Sequence, residues 1–486
     1  MRKTIFIILL WALPFQIFAQ TEIDALRYSY TTHGGTARYD GMSGAFGALG
    51  AEFSSLSTNP AGIGIFKKSR FMFTPVFMMN TADADYRNKI TADENVFVNI
   101  SNFGLVFNLK QYEEDNSAWN SMAFGFGYNK LQNFNKDITI QGFNDESSRL
   151  DQFMLNSDGI LSNELSEPEW LAYDTYLTDY ADIPNNSDLL YIHPYFEKYY
   201  VNQKKTIKTT GGIGEYVFSL GGNYGDNFQI GATFGIQNAR YKEESVFYEN
   251  SDSTDLESYD FTENLETKGV GYNFKFGMIY RPINAFRVGL AFHTPTFYQL
   301  KDIYSYEINS HYRTVVDGYS DYHSATDGDF ESNYEIYTPW RAVLSTAIVI
   351  GQYGLISADY EYIDYRKARI RSEEYDYADI NNNIKGIYKS GNNLRLGGEV
   401  RIAPIFLRGG ISYYGSANSS QFNATDALKG YSLGIGLQTE NIFVDLAFNH
   451  SFNKVDYQLY DYEVGTERSK LSINEDRISL TIGYKF

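Results

Sequence analysis

The 486-residue chain contains no cysteine. That single absence removes disulfide scaffolds, thiolate nucleophiles, cysteine-bound zinc, iron–sulfur clusters and a lipoprotein anchor. Positive charge is also short: 41 Lys and Arg stand against 60 Asp and Glu, a formal net charge of −19. No stretch interleaves cations with stacking aromatics, so nucleic acid is excluded as a partner. The 6 His, at positions 33, 193, 293, 311, 323 and 450, form no metal-ligand pair at helical or strand spacing. No local signature names a nucleophilic serine, so no catalytic residue, metal or cofactor is assigned and the chain is read as a non-enzyme. Past the first twenty residues, no window approaches the roughly 20 consecutive apolar residues of a transmembrane helix.

What the chain does have is aromatic residues and glycine: 42 Tyr, 35 Phe, 4 Trp and 41 Gly against 10 Pro. Such a mixture favours strands over helices. Residues 1–19 read as a secretory signal, with Arg2 and Lys3 at the start, an apolar run from Ile5 to Leu13, and Ile17-Phe18-Ala19 before Gln20. An exported chain without a helical span is either soluble or a β-barrel.

Alternation in period two favours the barrel. In Phe228 to Ile236 one face is Phe228, Ile230, Ala232, Phe234 and Ile236, whereas the other is Gln229, Gly231, Thr233 and Gly235. Ile478, Leu480, Ile482, Tyr484 and Phe486 alternate with Arg477, Ser479, Thr481, Gly483 and Lys485 in the same way. A bulky apolar face opposite a small or charged one suits a wall between lipid and a polar lumen.

Fourteen strands are expected, near 71–79, 96–109, 121–142, 213–224, 228–240, 269–280, 285–298, 339–350, 354–366, 392–402, 405–414, 430–438, 441–455 and 477–486. From the fourth onward, tight turns alternate with long polar links, as in outer-membrane barrels with short periplasmic turns and long external loops. The expected architecture is an all-β, transmembrane antiparallel barrel over residues 70–486 with both termini periplasmic. Its longest external connection is 143–211, and acidic links follow at Glu249 to Glu266 and Asp317 to Glu335. Leu165, Trp170, Leu171, Tyr173 and Leu177 fit either a short helix over the outer mouth or a solvated loop. The acidic links suit solubility, or divalent cations beside lipopolysaccharide.

Between Gln20 and Ser69 the alternation vanishes. Gly41, Gly44, Gly47 and Gly50 recur every three residues, a spacing that on a helix allows close backbone approach inside a barrel. In Asn59-Pro60-Ala61-Gly62, Pro60 fixes the backbone and pushes Asn59 out of the helical region, which marks a sharp turn into the first strand. Residues 20–69 are therefore expected to form either a hatch or a linker.

A signal sequence, the Gly41 to Gly50 segment, Asn59-Pro60-Ala61-Gly62 and about fourteen strands ending in an aromatic residue together resemble the FadL family, in the style of Bacteroidota-type members. The resemblance covers essentially the whole mature chain, although its specific motif is confined to the hatch. It implies an outer-membrane barrel occluded by an N-terminal hatch that passively imports long-chain fatty acids or other hydrophobic molecules. Some barrels of this broad family instead serve outer-membrane protein machines, so a non-transporting scaffold in an envelope protein complex is the alternative.

Three further sets of residues carry expectations. The inward charges Arg287, Asp359, Glu361, Arg395, Glu399, Arg401 and Arg408, with Lys275, fit an ion-pair network against the hatch, or recognition of a carboxylate head group. The polar, irregular stretch holding Asn129, Asn133 and Asn135 interrupts the third strand. It reads either as a kink opening the wall for lateral exit or as an early external loop. Tyr484 and Phe486 form an aromatic end of the kind that barrel-assembly machinery reads as an added strand. Outer-membrane lipid and lipopolysaccharide are the remaining expected partners.

Overall fold

The computed structural model describes residues 21–110, 118–181, 190–225, 227–316, 318, 320–419, 426–460 and 467–486. The expected signal peptide lies outside them. Fourteen antiparallel strands close into one barrel. They are β1 (Arg70–Tyr86), β2 (Lys89–Lys110), β3 (Trp119–Asn133 resumed at Lys136–Asn144), β4 (Val201–Tyr224), β5 (Phe228–Ser251), β6 (Leu256–Ile283) and β7 (Phe286–His293 resumed at Phe297–Val316). There follow β8 (Phe330–Tyr337 resumed at Arg341–Ile350), β9 (Gly354–Asp364), β10 (Ser390–Ile402), β11 (Ile405–Tyr414), β12 (Leu428–Gln438), β13 (Ile442–Tyr457) and β14 (Ser469–Lys485). Closure comes from β14 on β1, with Phe71 opposite Tyr484 and Asp85 opposite Lys470.

Alternation produces the two faces. On β12, Tyr431, Leu433, Ile435 and Leu437 point outward and are exposed, whereas Ser432, Gly434 and Gly436 face the lumen. β4 and β14 repeat the pattern with Phe218, Leu220 and Tyr224, and with Ile478, Leu480 and Ile482. An exposed apolar belt around a closed wall suits hydrocarbon, because every ladder hydrogen bond is made within the chain. Tyrosines edge the belt on β4, where Tyr216 and Tyr224 are both exposed.

Several strands run well past this belt at the end with the long connections. The links expected at Glu249 to Glu266 and Asp317 to Glu335 are mostly ladder: β5 and β6 are joined through the short turn 252–255, and 320–326 forms a hairpin with β7. Likewise β1 continues to Tyr86 and turns directly into β2 through Arg87 and Asn88, both at positive φ. Outside the belt neither strand face has to be apolar, so hydropathy stops marking a strand that the backbone continues. The 145–200 connection folds over these extensions. Its helices α3 (Leu150–Ser157) and α4 (Glu167–Asp174) bury Leu150, Phe153 and Leu171 against Phe247, Phe261 and Ile308. A helix thus forms within the expected 163–180 stretch.

Residues 21–69 occupy the lumen. Helix α1 (Glu22–Ser29) lies near the long-connection end, where the Tyr388 hydroxyl donates to the Glu22 carbonyl at 2.7 Å. The chain then descends past β11, β13 and β14 and joins β1 at the tight-turn end, where Ser69 O accepts from the backbone N–H of the terminal Phe486 at 3.1 Å. Thr21 and Phe486 therefore lie at opposite ends of the barrel. The expectation that both termini are periplasmic concerns, at the N-terminal side, residues outside the described ones.

Candidate functional site

Two of the expected motifs build the lower half of the lumen filling. The Asn59 side chain caps the short 3-10 helix Pro60–Ile65, accepting from Ala61 N at 3.1 Å. Its amide donates to Gly47 O at 2.6 Å and to Met278 O on the wall at 3.3 Å, so one side chain ties two turns of the segment to β6. Gly62 packs against Gly50, where an added Cβ would approach Gly62 Cα to 2.7 Å.

Gly41, Gly44, Gly47 and Gly50 do not lie on one helix, which corrects the helical reading of their spacing. They follow the four-residue helix α2 (Ala37–Asp40) as a series of turns, with φ +75° at Gly44 and +61° at Gly50. Glycine is needed there for backbone conformation and close approach to the wall rather than for a helical face.

The expected inward charges all face the lumen, and three of them, Asp359, Arg287 and Glu399, bond the segment directly. Asp359 accepts from Phe46 N at 3.2 Å and from Gly47 N at 3.1 Å. Arg287 donates to Leu49 O at 2.9 Å. Glu399 lies 2.9 Å from Arg401, 2.8 Å from Arg408 and 3.2 Å from Arg38 of the segment, and Arg408 also reaches Asp445 at 2.6 Å. Arg395 sits 3.6 Å from Asp359 and 3.9 Å from Glu361. Lys275 pairs with Glu215, which also accepts from Ser57 of the segment at 2.7 Å. Buried charges thus meet opposite charges, which is what makes their burial tolerable.

The sequence reading missed the segment's own polar partners. The Arg341 guanidinium donates to Ser29 O and the Thr31 hydroxyl, and Arg477 donates to His33 O at 2.9 Å. His33 is sandwiched between the Tyr414 hydroxyl at 2.9 Å and Asn449 at 3.1 Å. Their partners lie hundreds of residues away, and no local pattern marks such contacts.

At Asn129 to Asn135 the wall changes character. The β2–β3 ladder ends at Asn102 opposite Asn129, where Asn102 Nδ2 donates to Asn129 Oδ1 at 2.7 Å and Tyr128 O at 3.1 Å. Beyond it, Lys89–Ser101 of β2 pairs only with β1, and 130–144 of β3 pairs only with β4. Residues Phe134 and Asn135 leave the strand, and Asn135 Oδ1 accepts from Gly211 N at 2.8 Å, beside a kink in β4 at Gly211 and Gly212. The result is a seam with two strand edges. Leu131 O accepts from Thr32 N of the luminal segment at 3.3 Å, and the Asn99 side chain takes the N–H of Ile100 at 2.8 Å.

A cavity of about 570 Å³ occupies the lumen beside this seam. Its walls include Asn99 and Ser101 of β2, Lys130 to Phe134 of β3, Leu26 and Tyr30 of the segment, and Val76 and Met78 of β1. Below it, a much smaller polar cavity of about 60 Å³ touches His33, Lys275, Arg341 and Arg395. The large one offers room for a drug-sized molecule among mixed apolar and amide groups. Tyr484 and Phe486 lie on the outer face at the tight-turn end, both exposed, their rings 6.3 Å apart.

No family model and no characterised protein matches the sequence itself. Solved structures do match in fold. A Pseudomonas aeruginosa FadL homologue superposes over 94% of this chain and 99% of its own, with a TM-score of 0.54 at 14% identity. The P. putida toluene transporter TodX gives 94% and 99%, 0.52 and 11%. The CymD monoaromatic hydrocarbon channel gives 93% and 98%, 0.50 and 12%. The chain has the FadL-type fold, a closed fourteen-stranded barrel.

Proposed function

We propose that this barrel is an outer-membrane channel for passive uptake of hydrophobic molecules, long-chain fatty acids among them, with lateral release at the β2–β3 seam. Residues 20–69 act as its hatch, and the long connections face outward. The observation that carries the reading is the cavity of about 570 Å³ that ends against an interrupted ladder in the wall. The fold shared with a FadL homologue and with hydrocarbon channels supports it.

The physics favours a sideways exit. A cargo that passes from the cavity through the seam reaches hydrocarbon without crossing the water beyond the hatch, which avoids a rehydration cost of roughly 0.8 kcal/mol per methylene. The straight route is crossed by the segment, which Asn59 ties to Met278 of the wall and which Asp359 and Glu399 hold from the wall. Outer-membrane lipid then receives the cargo, and the exposed Tyr484 and Phe486 present the aromatic end used in barrel assembly.

The test is uptake of a labelled long-chain fatty acid by cells lacking other importers. Expression of this protein should raise uptake, and a cross-link across the seam should return it to background. Uptake equal to that of cells without the protein overturns the channel reading in favour of a scaffold in an envelope complex.

A further inference from the structure

On the outer face of the wall, Arg240 of β5, Lys268 of β6 and Lys301 of β7 stand directly opposite one another across three adjacent strands. Their chain neighbours Ala239, Tyr241, Thr267, Leu300 and Asp302 are buried, so by strand alternation the three cations point outward. Neighbouring strands lie about 4.8 Å apart, which makes the row about 10 Å wide. Like charges directly opposite each other on a sheet destabilise the pairing. Here that happens twice in succession.

Local carboxylates do not cancel the row. Lys268 reaches Glu266 at 2.5 Å, but Lys242 and Arg240 act on that same carboxylate, which leaves three cations to one anion. Lys301 has Glu331 at 2.7 Å, with both side chains about half exposed, and ion pairs so exposed contribute little. Two further acids of this face stand opposite cations of their own, Glu244 across from Lys208 and Glu335 across from Arg371.

The height of the row in the wall points to the chemistry of its partner. Along the outward set of β6 come Phe276, Phe274 and Tyr272, all exposed in the apolar belt, then Val270, then Lys268. Asn238 and Gln299 flank Val270 in register and present exposed amides. A molecule lying on this surface therefore meets apolar wall, a tyrosine, amides and cations in turn. That is the order in which a phosphorylated glycolipid presents its acyl chains, sugar hydroxyls and phosphate. A free phosphate would use the last tier alone.

Building on the outward orientation of the long connections proposed above, we infer that Arg240, Lys268 and Lys301 form a binding site for the phosphate of an outer-leaflet glycolipid of the lipopolysaccharide type. A bound phosphate places negative charge between the opposed cations, and the charge-assisted hydrogen bonds it accepts are about twice as strong as neutral ones. The site lies on the lipid face of β5 to β7, apart from the luminal cavity and the β2–β3 seam.

The experiment measures binding of fluorescent diphosphoryl lipid A, and of the same molecule with its phosphates removed, to the purified full-length protein in detergent. The wild type should bind the phosphorylated form at least about tenfold tighter, the equivalent of about 1.4 kcal/mol. Arg240→Gln/Lys268→Gln/Lys301→Gln should bring that ratio close to one, and Lys268→Arg/Lys301→Arg should keep the preference. Without lipid, the glutamine variant should hold its folded, fast-migrating band to at least the wild-type temperature, because the repulsion is gone. Equal binding of the two lipids by the wild type, an unchanged ratio in the glutamine variant, or earlier melting of that variant without lipid overturns the assignment and leaves the channel reading standing. Labelling of Ser253→Cys only from the periplasmic side would put the row in the inner leaflet and overturn the orientation and this inference together.

Discussion

The carboxylate of Asp93, on β2, accepts the backbone N–H of Thr139 at 2.6 Å and its hydroxyl at 3.1 Å, across the seam where the β2–β3 ladder is missing. The Thr91 hydroxyl completes the set by donating to Thr139 O, and Asn95 donates to Asp137 at 2.9 Å. Side chains here take over the work of a backbone ladder. Side-chain rotation can undo such bonds without moving either strand far, whereas a ladder must peel apart along its length.

Because the chain has no native cysteine, Asn95→Cys/Asp137→Cys gives a clean pair of thiols. Bridging them should leave ligand binding in detergent unchanged and slow release into the bilayer, with reduction restoring it. Release measured by stopped-flow transfer to vesicles at the same rate in both redox states would reject the seam as the exit.

The buried Glu215–Lys275 pair also holds Ser57 and Gln237. Lys275→Met leaves Glu215 as an uncompensated buried charge, which should cost about 3–5 kcal/mol. The temperature at which the folded, fast-migrating band is lost on gels should drop. The Glu215→Gln/Lys275→Met double variant should recover part of the loss, because the orphan charge is gone.

Gly50 combines φ +61° with backbone contact to Gly62, so Gly50→Ala pays twice, in strain and in collision. Asn59→Ala removes the amide that ties Gly47 O to Met278 O. Each variant should loosen the luminal segment in an intact barrel. Single-channel recording in planar bilayers should show conductance steps with either variant and a closed wild type; silent variants would argue against a hatch role for the segment.

In the cap, burial and a hydrogen bond with Asp327 push the Glu167 carboxyl up to about 7 from an ordinary 4.5. The docked form therefore binds a proton more tightly than the undocked one. Its contribution is complete below about 4.5 and is lost as pH rises through about 7. Amide protection over 150–176, after correction for the base catalysis of exchange itself, should be greater at pH 5.5 than at pH 8, and Glu167→Gln should remove the difference. Equal corrected protection in the wild type at both pH values would contradict this.

For orientation, Ser253→Cys sits in the β5–β6 turn and Asn227→Cys in the β4–β5 turn, at opposite ends of the barrel. A membrane-impermeant maleimide added to intact cells should label the first and spare the second. Protease should cut poorly at 249–266, since most of that stretch is ladder.

The positions of the fourteen strands were legible because a wall between lipid and lumen forces the period-two pattern seen on Phe228 to Ile236 and Ile478 to Tyr484. Legibility ended where the constraint ended. Val246, Phe247 and Tyr248 continue β5 above the belt, but among Glu243, Glu244 and Glu249 they read as a loop. Asn129 to Asn135 could be located as an irregularity, since a polar break in an apolar strand is a local signal. What that break adjoins could not be read, because Asp93 and Leu26 meet it only through the fold. The glycines at 41 to 50 misled for a related reason: a spacing of three matches helical and turn geometry alike, and only the positive φ at Gly44 and Gly50 separates the two.

The segment that precedes β1 is gripped by residues made last. His33 bonds to Tyr414 across 381 positions, and it and Ala37 bond to Arg477 and Thr481 across 444. Contacts so distant in sequence form late and slowly. Yet β14 closes on β1, and a closed wall gives no side door wide enough to admit a folded segment already outside it. Order of synthesis and order of folding must therefore differ: the early residues make their final bonds only once Tyr414, Arg477 and Thr481 are in place.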